Sequence, residues 1–441
     1  MKRYALESLK AWKNSQGRKP LILWGARQVG KTWLMMEFGR TEYKSIVYLN
    51  FDADKKLQNL FGDNISPKVI IPLLENVFDK KIVPGETLLI FDEIQECQRA
   101  KDALKYFNEE AGEYHIIAAG SFLGVTAGKF PVGQVDMLWL YPMTLYEFLE
   151  AAGRENLVSL LRKLDKDLIT GISSTVTELL KIYSFVGGMP SAVAAFVEHP
   201  AKFPLEAKAL RRVRENQVYI LESYRGDFSR HIRGTDILKV RMLWDSIPVH
   251  LAKEKKKFVY KEVKTGGRAA EFENAMDWLV NTRLVYRIAR TGTPKIPLAA
   301  YQDREIFKLF VVDIGLLCAQ TGIDIKTLLY PDSDIFDDFN GALTEQFVLQ
   351  ELKAVTGNPI LYWANEKGHS EVDFIVQHEN EIIPIEVKSD RRTKSKSLNV
   401  YINEYKPAHA VRTSLKNYGK ENNLYSIPLY LISSVIDIIG H

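Results

Sequence analysis

Long hydrophobic runs are missing from this 441-residue chain. No stretch approaches the ~20 apolar residues that a membrane span needs. The nearest, Leu424 to Ile439, is interrupted by Ser426, Pro428, Ser433, Ser434 and Asp437, and reads as a core strand and helix. Cysteine is scarce. Cys97 and Cys318 are the only two, in neither a metal-type spacing nor a disulfide framework, so a reducing cytoplasm is the expected compartment. Neither sign of charge dominates: 59 basic against 55 acidic residues leave a formal net charge of +4, too mild to argue for nucleic acid by itself. The start, Met1-Lys2-Arg3-Tyr4-Ala5-Leu6-Glu7, is basic but has no apolar run after it, unlike a secretory leader. What remains is ordinary globular composition, 46% apolar and 26% charged, in a chain long enough for two or three domains.

The most informative stretch is Gly25-Ala26-Arg27-Gln28-Val29-Gly30-Lys31-Thr32. It follows the apolar run Leu21–Trp24 and precedes a helix-like run from Trp33 to Phe38. Strand, glycine-bounded loop, Lys-Thr and helix is the Walker A order. Glycines at both ends let the loop turn its N–H groups onto a phosphate. Lys31 supplies a charge for the β/γ-phosphates, and Thr32 supplies a hydroxyl for Mg²⁺. The helix N-terminus behind them favours the same anion.

Further strands are read at Ser45–Asn50, Thr87–Phe91 and Tyr114–Gly120, with helical stretches between them. Continuous apolar strands alternating with helices predict a parallel sheet covered on both faces, hence an α/β domain. Asp92-Glu93 ends the third strand roughly 60 residues after Thr32, as a Walker B pair does. Asp92 would hold Mg²⁺ through its water shell, and Glu93 would orient the attacking water. Ser121 ends the next strand. It reads either as a γ-phosphate sensor or as a helix N-cap.

Lys19 to Thr32, Phe91-Asp92-Glu93-Ile94-Gln95 and Leu140 to Leu149 together resemble the AAA-type P-loop ATPases commonly joined to a domain of unknown function, the DUF4143 class. The likeness extends over nearly the whole chain. It implies a P-loop NTPase core of AAA+ or STAND-like type over residues 1–150 and a helical lid over 151–240. A winged-helix-like region over 241–330 and an α/β, restriction-endonuclease-like C-terminal domain over 331–441 would follow. It also suggests that Pro190, in Phe185-Val186-Gly187-Gly188-Met189-Pro190-Ser191, lies near an adenine. The same residues also suit a turn between two helices.

Within the middle, Met242–Leu251 and Ala270–Thr282 are expected as helices, with Leu284–Ile288 and Pro297–Tyr301 as the strands of a wing. Lys253, Lys255, Lys256, Lys257, Lys261, Lys264 and Arg268 form a basic string that suits either a DNA backbone or a solvated surface. Arg225, Arg230 and Arg233 are candidate arginine fingers, with no basis in sequence for choosing one.

The C-terminal stretch holds an alternating pair of strands, Glu371–Gln377 and Ile382–Lys388, about a turn at Glu379-Asn380. That turn pairs residues whose numbers sum to 759, setting Asp373 opposite Glu386 and Glu371 opposite Lys388. Opposed carboxylates repel, and a divalent cation such as Mg²⁺ would remove the objection. Asp373 followed by Glu386-x-Lys388 resembles the PD-(D/E)xK nuclease core, and Glu345 matches the acidic residue on that fold's first helix. Arg391, Arg392, Lys394 and Lys396 follow, suited to a phosphate backbone or to solvent.

The expectation is an ATP- and Mg²⁺-dependent ATPase. Its catalytic residues would be Lys31, Asp92 and Glu93, with Thr32 and Asp92 at the metal. Its C-terminal domain would cleave DNA through Glu345, Asp373, Glu386 and Lys388, with Asp373 and Glu386 at a second metal. DNA contact would run through the winged-helix-like and C-terminal domains. The alternative is a nucleotide-dependent switch whose C-terminal domain only binds nucleic acid or protein. No membrane partner is expected, and assembly into a homo-oligomer stays open.

Overall fold

The computed structural model describes the chain except residues 121–132, 199–206, 233, 254–255, 330–336, 358, 366–368, 390–395 and 441. Ser121, Arg233, Lys255, Arg391, Arg392 and Lys394 therefore lie outside the described residues. The chain divides into two compact units, Met1–Tyr141 with Asn281–Arg283, and Pro142–Val280 with Leu284–His441.

The first unit is built on a parallel sheet of β1 (Leu21–Trp24), β2 (Ser45–Asn50), β3 (Thr87–Asp92), β4 (His115–Ala119) and β5 (Asp136–Trp139), in the order β2-β3-β4-β1-β5. Helices α1 (Ala5–Asn14), α2 (Lys31–Glu42), α3 (Pro67–Phe78) and α4 (Gln98–Glu110) accompany it. The central strands β3 and β4 are buried at every position, which is why they read as unbroken apolar runs. β2 lies at an edge and alternates between buried and half-buried residues. Phe51, Phe61 and Phe91 pack edge to face, with centroids 5.6 to 5.9 Å apart. Strand β5 was not expected from sequence. It adds beside β1, and Trp24 and Trp139 meet across the pair with centroids 5.3 Å apart.

The second unit carries a mixed sheet: β6 (Val285–Thr291), β7 (Asp303–Val311), β8 (Ile360–Ala364), β9 (Glu371–His378), β10 (Glu381–Val387), β11 (Ala410–Ser414), β12 (Gly419–Glu421) and β13 (Leu424–Pro428). Its order is β12-β13-β11-β10-β9-β8-β6-β7. Residues 155–231 are largely helical, in Glu155–Leu161, Lys166–Val186, Pro190–Val197 and Ala207–His231. Helix Asp337–Val355 lies against the sheet, where the Gln346 amide brackets the backbone of Val311 on β7: its Nε2 donates to the carbonyl and its Oε1 accepts from the N–H.

One expectation for the middle of the chain needs correction. Pro297–Tyr301 is not a strand, because Leu298–Tyr301 forms a 3₁₀ turn. Pro297 has no N–H to give a ladder, and the Leu298 N–H is taken by the Gln377 side chain at 2.8 Å. The hairpin that does form is β6 with β7, and it is part of a larger sheet. β6 pairs in parallel with β8 through Arg290 opposite Tyr362 and Thr291 opposite Trp363. The sheet therefore runs across residue 330, where sequence reading placed a boundary. Among the described residues no helix is long and apolar enough to cross a membrane.

Candidate nucleotide site and the C-terminal acidic cluster

The loop Gly25–Gly30 joins β1 to α2, and its shape is fixed from several sides. A Cβ on Gly25 would collide with the carbonyl of Leu140. Gly30 precedes α2 with φ +93°, a left-handed conformation that glycine adopts without penalty. Gln28 is also left-handed, at φ +68°. The buried Arg3 guanidinium donates to the Val29 carbonyl at 2.9 Å and to the Tyr141 carbonyl at 2.6 Å, pinning the loop from the N-terminal segment. Lys31, buried, folds its ammonium back onto the carbonyls of Gly25 and Ala26, each at 2.9 Å. Burial lowers its pKa to about 8, against the pull of Glu93 and Asp92.

Thr32 opens α2 and Asp92 closes β3, and the two meet directly: Thr32 Oγ1 donates to Asp92 Oδ2 at 2.7 Å. Asp92 Oδ2 also accepts from the Tyr48 hydroxyl at 2.9 Å, and Oδ1 accepts from the Glu93 N–H at 3.0 Å. Glu93 holds a left-handed backbone, φ +49°, and its carboxylate takes a 2.6 Å bond from the Gln95 amide. Hydroxyl and carboxylate side by side are hard oxygen donors that suit Mg²⁺. Sequence reading gave no role to Tyr48 and Arg3, which lie outside the contiguous motifs, or to Gln95, which lies within the one around Asp92-Glu93.

Pro190 is the first residue of helix Pro190–Val197, a position that suits proline because no helical N–H is lost there. Gly188 does make a close approach, but to backbone of its own unit: a Cβ there would run into Met143, whose N–H donates to the Gly188 carbonyl at 2.7 Å. Asp313 Oδ2 accepts from the Gly188 N–H at 2.6 Å and fixes the same turn. These residues meet the demands of a tight helix-to-helix turn. Arg225 is occupied by Glu222 at 2.8 Å and Asp245 at 3.1 Å.

In the second unit β9 and β10 take the register summing to 759, from Glu381 opposite His378 to Ile385 opposite Phe374. Asp373 Oδ2 accepts from the Val387 N–H at 2.8 Å, and Lys388 pairs with Glu386 at 2.8 Å. Glu345 joins the group from helix Asp337–Val355. Sequence reading did not find two further members, Lys256 and Lys308. Lys256 lies 2.5 Å from Glu345. Lys308, on β7 and 1% exposed, lies 2.5 Å from Glu371, 3.6 Å from Glu345 and 4.0 Å from Asp373. Glu371 thus pairs with Lys308.

The electrostatics follow from burial among mixed charges. Burial disfavours the Lys308 ammonium, but Glu345, Glu371 and Asp373 outweigh it and hold its pKa well above the usual lysine range. Burial likewise disfavours the Glu345 carboxylate, and Lys256 and Lys308 outweigh it, lowering its pKa. Asp373 is raised by burial together with Glu345 and Glu386. Oε2 of Glu345 and of Glu386 are buried without a hydrogen-bond partner among the described residues. Those two oxygens alone suit a cation. Two ammonium groups already supply positive charge beside Glu345 and Asp373, and they weigh against the metal expected at Asp373 and Glu386. Among the described residues no group of three or more His, Cys, Asp or Glu side chains is placed to hold a metal ion.

The basic string of the middle is partly neutralised in the same way. Lys253 pairs with Glu262 at 2.5 Å, Lys256 with Glu345, and Lys264 with Glu271 at 2.7 Å.

Comparison with known families assigns the parts. Residues 17–149 match the model of an AAA domain, AAA_14. Residues 340–432 match a domain of unknown function, DUF4143. The chain joins an AAA domain to a DUF4143 domain. Between them, residues 177–327 match a further domain of unknown function, DUF8612. The AAA match falls mainly on the first unit. No curated protein matches the sequence. Among solved structures, the chain resembles the Aeropyrum pernix ORC1 protein in complex with DNA, at 11% identity over 74% of this chain and 90% of that one, with a TM-score of 0.31. It resembles the Thermotoga maritima RuvB Holliday junction branch migration motor at 14% identity over 64% and 86%, with a TM-score of 0.31. For Drosophila ORC bound to DNA the figures are 12%, 72% and 94%, with a TM-score of 0.28. Likeness at these scores says nothing of this chain's ligands.

Proposed function

We propose that the AAA domain binds ATP with Mg²⁺ on the loop Gly25–Thr32 and hydrolyses it, and that the DUF4143 domain responds to the nucleotide state by binding a partner rather than by cutting one. The observation that carries the first part is the 2.7 Å bond from Thr32 to Asp92, which unites the two motifs at one point. The N–H groups of Ala26, Arg27, Gln28, Val29 and Gly30 would line the phosphates. Lys31 would exchange the neutral carbonyls of Gly25 and Ala26 for phosphate oxygens, whose charge favours the ammonium that burial disfavours. Bound Mg²⁺ supplies charge neutralisation on the β- and γ-phosphates. Thr32 and Asp92 hold its place, and Glu93, steadied by Gln95, orients the attacking water. Ser121 as γ-phosphate sensor belongs to the same proposal.

The second part rests on Lys256 and Lys308, which neutralise the acidic cluster from within the protein. DNA is the partner proposed, held by that domain together with basic residues upstream of it such as Lys257, Lys261 and Arg268. The test is ATP turnover, with and without DNA, by wild type, Lys31→Ala and Glu93→Gln. Turnover unchanged in both variants would refute the ATPase assignment. No response to DNA would remove it as the partner.

One observation favours a second reading. Glu345, Asp373, Glu386 and Lys388 occur in the PD-(D/E)xK order, and Oε2 of Glu345 and of Glu386 accepts no hydrogen bond among the described residues. Such a set would carry Mg²⁺-dependent cleavage of DNA, and Lys256 and Lys308 weigh against it. Nicking of DNA by wild type, lost in Asp373→Ala, would establish that reading in place of the switch.

A further inference from the structure

Tyr48 stands on the edge strand β2, opposite Ile90 of β3 and apart from both nucleotide motifs. Its hydroxyl nevertheless reaches Asp92 Oδ2, at 2.9 Å, the oxygen that also accepts from Thr32. The direction of that bond is fixed by what lies behind it. Asn50 Nδ2 donates to the Tyr48 oxygen at 3.1 Å, so the one phenolic hydrogen is left for Asp92. Asn50 is itself held, because its Oδ1 accepts from the N–H groups of Asp52 at 3.1 Å and Ala53 at 2.9 Å. A chain of donors thus runs from the turn after β2, through Asn50 and Tyr48, to the end of β3.

We infer that Tyr48 is a positioning residue for the metal-holding pair Thr32–Asp92. The carboxylate is locked at both oxygens: Oδ1 by the Glu93 N–H, and Oδ2 by Tyr48 and Thr32. A carboxylate held this way cannot rotate, so Thr32 must direct its hydrogen at Oδ2. The lone pairs of Thr32 Oγ1 are then turned away from Asp92, free for a cation. The second lone pair of Oδ1 is left for a metal-bound water. Removing the Tyr48 hydroxyl frees Oδ2 on one side and lets the carboxylate and Thr32 turn together. The effect falls on the metal, because Tyr48 touches neither the loop Gly25–Gly30 nor Lys31 among its hydrogen bonds here.

The inference rests on the assignment of Gly25–Thr32 and Asp92 as nucleotide and metal site, and the test separates the two. A fluorescent ADP analogue is titrated into wild type, Tyr48→Phe and Asn50→Ala, each with EDTA and with Mg²⁺. Wild type is expected to bind more tightly with Mg²⁺. Tyr48→Phe should bind equally well in EDTA but lose most of the Mg²⁺-dependent gain, about tenfold, the scale of one hydrogen bond to a charged group. Asn50→Ala keeps the phenol and should show a smaller loss of the same kind. An Mg²⁺ gain unchanged in both variants overturns the role of Tyr48 and leaves the nucleotide site standing. Equal losses in EDTA and in Mg²⁺ also overturn it, since they mark general damage to the fold. Failure of wild type to bind the analogue at all overturns the underlying assignment, and the inference with it.

Discussion

Lys308 Nζ lies 2.5 Å from Glu371 Oε1, joining β7 to β9 across a sheet in which β6 and β8 stand between them. The lysine is buried, and Glu345 and Asp373 surround it as well. Removing one partner from such a network strands the others. Lys308→Met should destabilise the second unit by roughly 3–5 kcal/mol, read as a lower urea midpoint. Combining it with Glu345→Gln should recover part of the loss, because one stranded carboxylate is then gone. Purely additive losses in the double variant would show that the charges are not coupled.

The same arrangement bears on metal binding. Mn²⁺ titrated into wild type and followed by paramagnetic resonance should show no site that Asp373→Asn abolishes. Substituting Lys256 by Met opens a place beside Glu345 and should create weak Mn²⁺ binding. A site in wild type that depends on Asp373 would reverse this expectation.

Glu351 gives a pH dependence with a definite sign. It is buried, accepts from the Leu145 N–H at 2.9 Å, and is pushed up to about 8, by burial first. Between its ordinary value of 4.5 and about 8 the unfolded chain has lost this proton and the folded chain keeps it. The contribution is therefore fully present below 4.5 and fades as pH rises toward 8, by at most about 1.4 kcal/mol per pH unit. Glu351→Gln keeps a neutral acceptor for Leu145 and should remove that slope. Thermal unfolding should show the variant more stable than wild type at pH 8, with the gap closed at pH 4. A gap that does not change with pH would assign the effect to packing.

Gly188→Ala separates packing from adenine binding. Its Cβ would sit inside the Met143 carbonyl, a rigid neighbour, so the variant should lose about 2 kcal/mol or more of stability. The folded fraction should bind nucleotide as wild type does. A specific loss of nucleotide affinity at unchanged stability would return this turn to the nucleotide site.

Glu93→Gln should lower ATP turnover by about a hundredfold or more while nucleotide affinity holds, since the carboxylate acts on the attacking water. Lys31→Ala should weaken affinity itself. Identical kinetic profiles for the two would mean that their roles are not distinct.

The nucleotide loop was legible because its chemistry is contiguous: Gly25 to Thr32 carry backbone freedom, charge and hydroxyl within one turn of chain. The pairing of β9 with β10 was legible for a similar reason, since a short turn at Glu379-Asn380 dictates every partner. Tyr48 and Lys308 were not. Tyr48 reads as an ordinary aromatic on a strand, and only the parallel pairing of β2 with β3 brings it to Asp92. Lys308 sits in Asp303–Val311 as a single charge entering an apolar run. Nothing local says that helix Asp337–Val355 and β9 will close over it. Pro297–Tyr301 misled for lack of a partner: its apolar residues suit a strand, and Gln377 captures the one N–H that would have begun a ladder.

Because β6 and β7 complete the sheet that begins again at β8, the DUF4143 match covers only part of the sheet to which its strands belong. A fragment cut at residue 331 would leave the flank of β8 bare and lose the ammonium that steadies Glu345, Asp373 and Glu371. Such a fragment would be inclined to self-associate through that raw flank. Dissecting this half of the molecule has to begin upstream of Val285.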